Sequence, residues 1–270
     1  GDDIITDHGT PAGASDFLRG NEGDDVIDSG TGNDVLFGGG GSDFIIVGPD
    51  FQEVFAGEGN DFVLGGQGPD TLMGNEGDDW IEGGEGFDTL SGENSELFFN
   101  SPIIGNDVLN GQGNDTDYDG ESGDDIMVNG PGIQRDNGML GFDWGIFKGD
   151  PNPADADLGI PFFPAQTVFT LRDRFDSVEG LSGWDNDDKL TGASFPVGAA
   201  GAGLGVIGAP ATDSKLLAAN VDLISGLRGL LGLPAGSLAA FTGPVGEITL
   251  INPNTGGDII LGGGGNDIIN

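Results

Sequence analysis

The chain of 270 residues has no cysteine, one histidine and only eight lysines and arginines, against 46 aspartates and glutamates. The lack of cysteine by itself leaves the redox compartment open. The scarcity of basic residues gives a net charge of −38. This charge excludes nucleic acid and anionic membranes as electrostatic partners and favours bound cations. No hydrophobic run is long enough to span a bilayer, and no signal peptide is recognisable.

Catalytic motifs are missing as well. The chain contains neither H-E-x-x-H nor G-x-S-x-G, so neither a zinc protease nor a serine hydrolase is indicated. A G-x-G-x-x-G match at 203–208 has no βαβ context, and such matches arise by chance in a chain with 55 glycines. The single histidine, His8, is interpreted as a solvated loop residue. We therefore expect no catalytic residue in this chain.

What the chain does contain is a repeat. Residues 20–91 divide without remainder into eight nonapeptides, from GNEGDDVID to GGEGFDTLS. We number the nine places of each repeat from its first residue, so that Gly20 stands at place one. Place eight is always aliphatic, and place six is a glutamine, Gln52, in the fourth repeat, VGPDFQEVF. In the other seven repeats place six is an aspartate: Asp25, Asp34, Asp43, Asp61, Asp70, Asp79 and Asp88.

One repeat is too small to fold alone. Glycines at places one, two and four permit positive φ and a tight turn. The three residues after the aspartate form a strand that buries almost nothing, so the repeats must stack. Two repeats would make one coil, which puts residues eighteen apart above one another. Stacked carboxylates and the carbonyls of the glycine turns are hard oxygen ligands that suit Ca²⁺, and without the ion like charges would oppose closure. The candidate turn glycines are Gly23, Gly41, Gly59 and Gly77.

This geometry predicts a roll with two edges. Asp25, Asp43, Asp61 and Asp79 would line the first edge, whereas Asp34, Gln52, Asp70 and Asp88 would line the second. Because Gln52 lacks a carboxylate, we expect two calcium sites on the second edge to be missing or altered. After residue 91 the phase becomes irregular. The further candidate calcium ligands are Asp107, Asp115, Asp125, Asp143, Asp188, Asp258 and Asp267. Counting the aspartate turns gives about ten calcium ions.

The nine-residue phasing over eight units resembles the β-roll of RTX (hemolysin-type) calcium-binding proteins. The resemblance implies an all-β, right-handed parallel β-roll. It also implies type I secretion from a Gram-negative-type bacterium and folding outside the cell on meeting calcium. The segments GFDWGIF, RDRFDSVEGLSGWDNDDKLTG and DIILGGGGNDII are similar to the C-terminal region of large bacterial RTX proteins with an animal-type haem peroxidase domain upstream. That similarity implies the non-catalytic tail of a secreted peroxidase.

Four segments are predicted along the chain: a first roll over 1–100, a shorter irregular array over 101–146, a capping insertion over 147–245 and returning repeats over 246–270. One helix is expected near 213–231, because an apolar stripe there precedes the stop signals Gly232 and Pro234. The stripe consists of Leu216, Leu217, Val221, Ile224, Leu227 and Leu231. The insertion would cover the exposed strand edge at the end of the roll.

The outward faces of the predicted strands are rich in apolar residues. Phe44, Phe62 and Trp80 recur every eighteen residues and should form an aromatic column across neighbouring strands. Because large apolar patches mark interfaces, we expect this face to be covered, either by residues 147–245 or by another chain. Two functions therefore stay open. The chain is a calcium-dependent folding and stiffening module of an extracellular protein, or a self-assembling surface-layer, filament or adhesive protein.

Overall fold

The structure is a computed structural model that describes residues 1–7, 13–94, 105–160, 172–192, 213–230, 247–251 and 259–270. His8 and Asp258 lie outside these residues. The strands of the first hundred residues are Ile4–Thr6 (β1), Phe17–Glu22 (β2), Val26–Asp28 (β3), Asp34–Gly40 (β4), Phe44–Ile46 (β5), Gln52–Glu58 (β6), Phe62–Leu64 (β7), Thr71–Glu76 (β8), Trp80–Glu82 (β9) and Asp88–Ser91 (β10).

Short strands continue through the rest of the chain. They are Val108–Asn110 (β11), Thr116–Asp119 (β12), Ile126–Val128 (β13), Arg135–Asn137 (β14), Trp144–Ile146 (β15), Asp155–Asp157 (β16), Arg174–Asp176 (β17), Gly180–Ser182 (β18), Lys189–Thr191 (β19), Asp213–Leu217 (β20), Glu247–Ile251 (β21), Ile259–Leu261 (β22) and Ile268–Ile269 (β23). A six-residue 3₁₀-helix, Ala218–Leu223, and a four-residue α-helix, Leu227–Leu230 (α1), complete the described elements. In this described part, no helix is long and apolar enough to cross a membrane.

The strands form an all-β parallel β-roll. Sheet 1 has ten strands in the order β1-β3-β5-β7-β9-β11-β13-β15-β18-β22, and sheet 2 has eight in the order β2-β4-β6-β8-β10-β12-β14-β17. Successive strands of the repeats alternate between these two sheets. Within sheet 1, Val26 pairs with Phe44, which pairs with Phe62, so each of these regular coils is eighteen residues long. The predicted fold class is thus confirmed.

The core lies between sheet 1 and sheet 2 and is built from the place-eight side chains. These are fully buried in all eight regular repeats: Ile27, Leu36, Ile45, Val54, Val63, Leu72, Ile81 and Leu90. Burying an aliphatic side chain of this size contributes about 1.5–3 kcal/mol. The stacked column therefore stabilises repeats that could not fold singly.

One place-eight residue of sheet 2 is charged. Asp136 stands between Tyr118 and Phe175 in the strand register and is completely buried. Its Oδ2 accepts a hydrogen bond of 2.7 Å from Asn129 Nδ2, whereas its Oδ1 has no partner among the described residues. Burial raises the pKa of Asp136 well above its usual value, although the Asn129 bond opposes this. The fold thus favours the neutral acid at this position.

The irregular stretch after residue 91 does not interrupt the sheets. Val108 of β11 pairs with Trp80 of β9, so the coil there is 28 residues long instead of eighteen. Glu93 stabilises this longer coil through two hydrogen bonds. Its Oε1 accepts from the Gly105 backbone nitrogen at 2.9 Å, and its Oε2 accepts from the Ser122 backbone nitrogen at 3.2 Å. The segments predicted over 1–100 and 101–146 therefore share the same two sheets.

The predicted insertion also contributes strands to the roll. β17 extends sheet 2 and β18 extends sheet 1, whereas β16, β19 and β23 form a separate three-stranded parallel sheet, sheet 3. In sheet 3, Ala156 pairs with Leu190, and both side chains are buried. The roll therefore continues through much of the segment that sequence patterning assigned to a cap.

The prediction of one helix near 213–231 is wrong. Residues 213–217 form strand β20, which pairs antiparallel with β21, because a distant strand satisfies the backbone groups that a helix would have satisfied locally. The remainder divides into the 3₁₀-helix and α1, separated by Gly226, whose φ of 85° no α-helix adopts. Val221, Ile224 and Leu227 recur at a spacing of three and are all buried.

This short helical segment covers part of the outer face of sheet 1. Val221, Ile224 and Leu227 belong to a second buried cluster with outward-facing residues of β11, β13 and β15: Val108, Ile126, Val128, Trp144 and Ile146. Ser182 Oγ also donates to the Ser225 carbonyl at 3.1 Å. The intramolecular cover expected from residues 147–245 is present over these strands.

The cover formed by the described residues reaches as far as β9. Trp80 is partly buried against the second cluster, whereas Phe44, two strands away, is 37% exposed. The rings of Phe44, Phe62 and Trp80 stack with centroid separations of 5.4 and 6.2 Å. The predicted aromatic column therefore exists, and its Phe44 end faces outward.

Candidate metal centre

The first-edge aspartates form a hydrogen-bonded ladder. In each step the backbone nitrogen of one aspartate donates to Oδ1 of the aspartate in the next coil. The donor–acceptor distances are 2.8 Å from Asp25 to Asp43, 2.7 Å from Asp43 to Asp61, 2.7 Å from Asp61 to Asp79, 2.7 Å from Asp79 to Asp107, 2.8 Å from Asp107 to Asp125 and 3.0 Å from Asp125 to Asp143. One oxygen of each carboxylate is thereby fixed by the sheet itself.

The second carboxylate oxygen has no such partner. Oδ2 is buried and accepts no hydrogen bond from the described residues at Asp25, Asp43, Asp61, Asp79, Asp107, Asp125 and Asp143. The same holds on the second edge for Asp34, Asp70 and Asp88. A buried carboxylate oxygen without a donor is unfavourable by several kcal/mol unless a proton or a cation compensates it. The repetition of this arrangement in every coil points to a cation.

Backbone oxygens lie beside these Oδ2 atoms. A Cβ placed on Gly20 would lie 2.2 Å from Asp25 Oδ2 and 2.5 Å from the Gly38 carbonyl oxygen. At Gly74 the same two distances, to Asp79 Oδ2 and to the Gly92 carbonyl, are again 2.2 and 2.5 Å. At Gly20 and Gly74 the absence of a Cβ thus lets a carboxylate oxygen and a carbonyl oxygen approach each other, whereas the fifth repeat accommodates a buried alanine, Ala56, at the same place.

The turn glycines at place four are equally constrained. A Cβ on Gly59 would lie 1.9 Å from the Gly41 carbonyl oxygen, and one on Gly77 would lie 1.7 Å from that of Gly59. Gly59 also has a φ of 129°, which other residues rarely adopt. The predicted ligand glycines Gly23, Gly41, Gly59 and Gly77 therefore form one column along the first edge. Their role as ligands stays a prediction.

The donor set fits calcium better than a softer metal. Within the described residues, no three carboxylate or imidazole side chains converge to hold a metal. Backbone carbonyls would therefore have to supply most of the ligands. Ca²⁺ accepts six to eight oxygen ligands, including backbone carbonyls, whereas zinc sites use mainly cysteine and histidine.

The electrostatics of both ladders disfavour a charged carboxylate that neither a proton nor a cation compensates. Burial raises the pKa of Asp61 to about 7 and those of Asp70 and Asp79 to about 8. Without a cation, these carboxyls would carry protons near neutral pH. An ion that binds the carboxylates would lower their pKa values and replace those protons.

Comparison with known families agrees with this geometry. The family model of the RTX calcium-binding nonapeptide repeat matches four copies, over residues 12–45, 55–93 and 254–270. The chain carries RTX calcium-binding repeats. The matches cover about a third of the chain and omit residues 46–54, which contain Gln52. Searches of curated proteins and of solved structures found no match.

The second edge of the RTX roll is not continuous. Asp70 Oδ1 accepts from the Gln52 backbone nitrogen at 2.8 Å, and Asp88 Oδ1 accepts from that of Asp70 at 2.9 Å. The strand register then places Thr116 beside Asp88, and Gln134 beside Thr116. Sequence analysis identified Gln52 as an exception but missed Gln134, because no regular phase leads to it.

Asp115 does not occupy the place predicted for it. The residue paired with Asp88 is Thr116, so Asp115 stands at place five, one residue too early for a ladder carboxylate. It is exposed, and its Oδ1 accepts from the Ile133 backbone nitrogen at 2.9 Å. The longer coil between residues 91 and 107 shifted the phase, which counting from the previous aspartate could not reveal.

A short ladder of the same kind forms at the edge of sheet 3. Asp188 Oδ1 accepts from the Ala154 backbone nitrogen at 2.8 Å, and the Asp188 nitrogen donates to Asp267 Oδ1 at 3.0 Å. Asp188 Oδ2 differs from the first-edge carboxylates because it accepts from the Trp184 nitrogen at 2.9 Å. The predicted residues Asp188 and Asp267 therefore lie together.

Sequence analysis overlooked a second polar column, at place five of the first edge. There the side chain of one coil accepts from the backbone nitrogen of the next coil, opposite in direction to the aspartate ladder. The distances from the backbone nitrogen to the carboxylate Oδ1 are 2.8 Å from Ser42 to Asp24, 2.9 Å from Asn106 to Asp78 and 2.9 Å from Phe142 to Asp124. The signal was the recurrence of Asp or Asn just before the ladder aspartate in alternate repeats.

Proposed function

We propose that this chain is a calcium-dependent folding and stiffening module of a secreted protein, with no catalysis of its own. The observation that supports this most directly is the row of buried first-edge Oδ2 atoms, each without a hydrogen-bond donor in the part of the chain that the structure describes. Bound calcium would supply positive charge between successive coils. The chain itself positions the ligands: Oδ1 fixes each carboxylate to the coil before it, and the place-four glycines of the first edge allow the coils to approach closely.

Calcium would therefore control whether the roll forms. In the cytosol, where calcium is scarce, stacked carboxylates would repel one another, and the chain would stay unfolded. Extracellular calcium-binding modules have dissociation constants of about 10⁻⁴–10⁻³ M, so millimolar calcium would fill them. Secretion in an unfolded form and folding outside the cell are part of this proposal, and the resemblance to RTX proteins supports them. Attachment to a haem peroxidase stays a prediction from sequence resemblance.

The direct test is far-UV circular dichroism in chelator, in millimolar calcium and in millimolar magnesium. We expect the strand signal to appear in calcium only, because Mg²⁺ requires a compact octahedral site and keeps several waters. Equal strand signal in chelator and in calcium would contradict the proposal. Folding in magnesium alone would mean that the sites are not built for a large ion.

A second function is favoured by the outward aromatic column. The column stacks from Phe44 to Trp80, and Phe44 is 37% exposed. Self-association through this face would make the chain a structural or adhesive protein. Light scattering of the calcium-loaded protein decides between the two: a monomer supports the folding module, and ordered multimers that the Phe62→Lys substitution dissolves support assembly.

A further inference from the structure

Two glutamines on the second edge stand where the ladder would place aspartates. Gln52 lies between Asp34 and Asp70 in the strand register, and Gln134 is the partner of Thr116. Both side chains are buried, with 0% and 1% of their surfaces exposed. Their backbone nitrogens donate to the next coil as those of ladder aspartates do, Gln52 to Asp70 and Gln134 to Asp173.

Their amide groups make the same unusual contact. Gln52 Nε2 donates to the Gly32 carbonyl at 2.8 Å, and Gln134 Nε2 donates to the Asn114 carbonyl at 2.9 Å. In each case the acceptor lies twenty residues earlier, at place four of the coil below. Two glutamines in different parts of the roll thus bond the carbonyl of the same place.

We infer that Gln52 and Gln134 occupy the position of a calcium ion and make these steps of the second edge independent of calcium. An aspartate at place six would direct a carboxylate oxygen, which cannot donate, towards a carbonyl, which also cannot donate. A cation can bridge two such oxygens. The glutamine amide instead supplies N–H donors of its own and adds no charge. Its Oε1 is buried without a donor among the described residues at both positions, and it is the neutral counterpart of the ladder Oδ2. This inference rests on the calcium-binding function proposed above.

Thr116 strengthens the assignment at the second glutamine. Its Oγ1 donates to the same Asn114 carbonyl, at 3.4 Å. A carbonyl oxygen has two lone pairs, so Gln134 and Thr116 together use both of them. Thr116 also replaces the carboxylate next to Asp88. The second edge therefore loses its negative side chains over the same coils in which the first edge keeps Asp107, Asp125 and Asp143.

The consequence is an unequal distribution of ions. The first edge keeps a carboxylate at every step from Asp25 to Asp143. The second edge keeps two adjacent pairs of ladder carboxylates, Asp16 with Asp34 and Asp70 with Asp88. At Gln52 and Gln134 no such adjacent pair forms. Most of the calcium would bind along one side of the roll.

The test is the number of calcium ions per chain, measured by equilibrium dialysis against millimolar calcium and metal analysis. Gln52→Asp should bind at least one ion more than the wild type, because it restores a carboxylate between Asp34 and Asp70. Gln134→Asp should also gain an ion, since Asp173 is its neighbour. Gln67→Asp is the matched control: it adds the same charge at an exposed turn, where Gln67 contacts Glu85, and should gain none.

A companion variant tests the amide itself. Gln52→Met keeps the length of the side chain but removes the donor to Gly32. It should leave the ion count unchanged and lower the folded-to-unfolded ratio by about tenfold, as expected when a buried carbonyl loses its partner. An unchanged folded-to-unfolded ratio would contradict the role assigned to the amide.

Each outcome of the ion count decides the matter. If the Gln52→Asp variant gains no ion, or fails to fold in calcium, the inference is overturned. The new carboxylate should bind an ion as the neighbouring ladder carboxylates do. A wild type that binds no calcium at all would instead overturn the proposed function. The two failures are therefore distinguishable.

Discussion

Each ladder aspartate uses its two oxygens differently. At Asp61, Oδ1 accepts from the Asp43 nitrogen at 2.7 Å, a bond that belongs to the sheet, whereas Oδ2 is buried without a donor. An asparagine would keep the first function, because its Oδ1 still accepts a hydrogen bond, but it would lose the charge. This separation allows the metal-binding role to be tested without removing the ladder.

We predict that Asp61→Asn lowers the number of bound calcium ions and raises the calcium concentration at the folding midpoint several-fold. The physical reason is the loss of the buried negative charge that the ion compensates, while the ladder bond is kept. A calcium titration followed by circular dichroism measures the midpoint.

Asp115→Asn is the control for this prediction. Asp115 is exposed and stands at place five, so its substitution should leave both ion count and midpoint unchanged. If Asp115→Asn lost an ion and Asp61→Asn did not, the assignment of the ligands to place six would be refuted.

The buried acid Asp136 predicts a pH effect of a particular sign. Its pKa is raised in the folded state by burial, and the carboxylates of Asp173 and Asp117 add to the rise. The folded protein therefore binds a proton that the unfolded chain releases above about pH 4, and stability from this group falls as pH increases. The fall continues up to the folded pKa.

We predict that Asp136→Asn removes this dependence. Urea unfolding in saturating calcium, between about pH 5 and pH 8, should show the wild type losing up to about 1.4 kcal/mol per pH unit relative to the variant. The calcium ligands titrate identically in both proteins and cancel in the difference. A difference that does not change with pH would show that Asp136 is not held as a neutral acid.

At the scale of the elements, the short strands depend on stacking and the helical segment depends on the sheet beneath it. Val221 lies in the 3₁₀-helix, Ile224 follows it and Leu227 begins α1, yet all three side chains are buried in the same cluster. The sequence pattern identified Val221, Ile224 and Leu227 as buried residues correctly but could not show that residues 213–217 pair with β21. A long-range strand partner is not visible in local periodicity.

We predict that Ile224→Ala destabilises the calcium-loaded protein by about 2–4 kcal/mol, the usual cost of a cavity in a core. Ile224 is 2% exposed and packs in the cluster that contains Trp144. Urea unfolding measures the loss, and the ion count should not change. Ile268→Ala, at a side chain that is 57% exposed, is the control and should cost less than about 0.5 kcal/mol.

How far sequence predicts the structure depends on regularity. In residues 20–91 the nine-residue phase determines the strands, the buried column and both edges, because each place has one fixed environment. Where the coil lengthens after Glu93, the phase is lost. Thr116 then takes the place expected for Asp115, and Gln134 and Asp136 are hidden since neither matches the repeat pattern. Such residues become visible only when strand register is known.

At the scale of the whole molecule, the roll concentrates negative charge that an ordinary fold would disperse. The chain carries a net charge of −38, and the first-edge ladder aligns a carboxylate in every coil from Asp25 to Asp143. About ten divalent ions would neutralise roughly half of that charge. The unfolded chain keeps the same charges far apart. Calcium should therefore convert the chain from a large unfolded state into a compact folded state.

Small-angle X-ray scattering in calcium and in chelator tests this claim most directly. The account predicts a radius of gyration of about 20 Å in millimolar calcium and about 57 Å or more in chelator, the values expected for a compact and an unfolded chain of this length. Re-addition of calcium should restore the compact profile. A compact profile that persists in chelator would contradict the account, because the buried carboxylates would then need no ion.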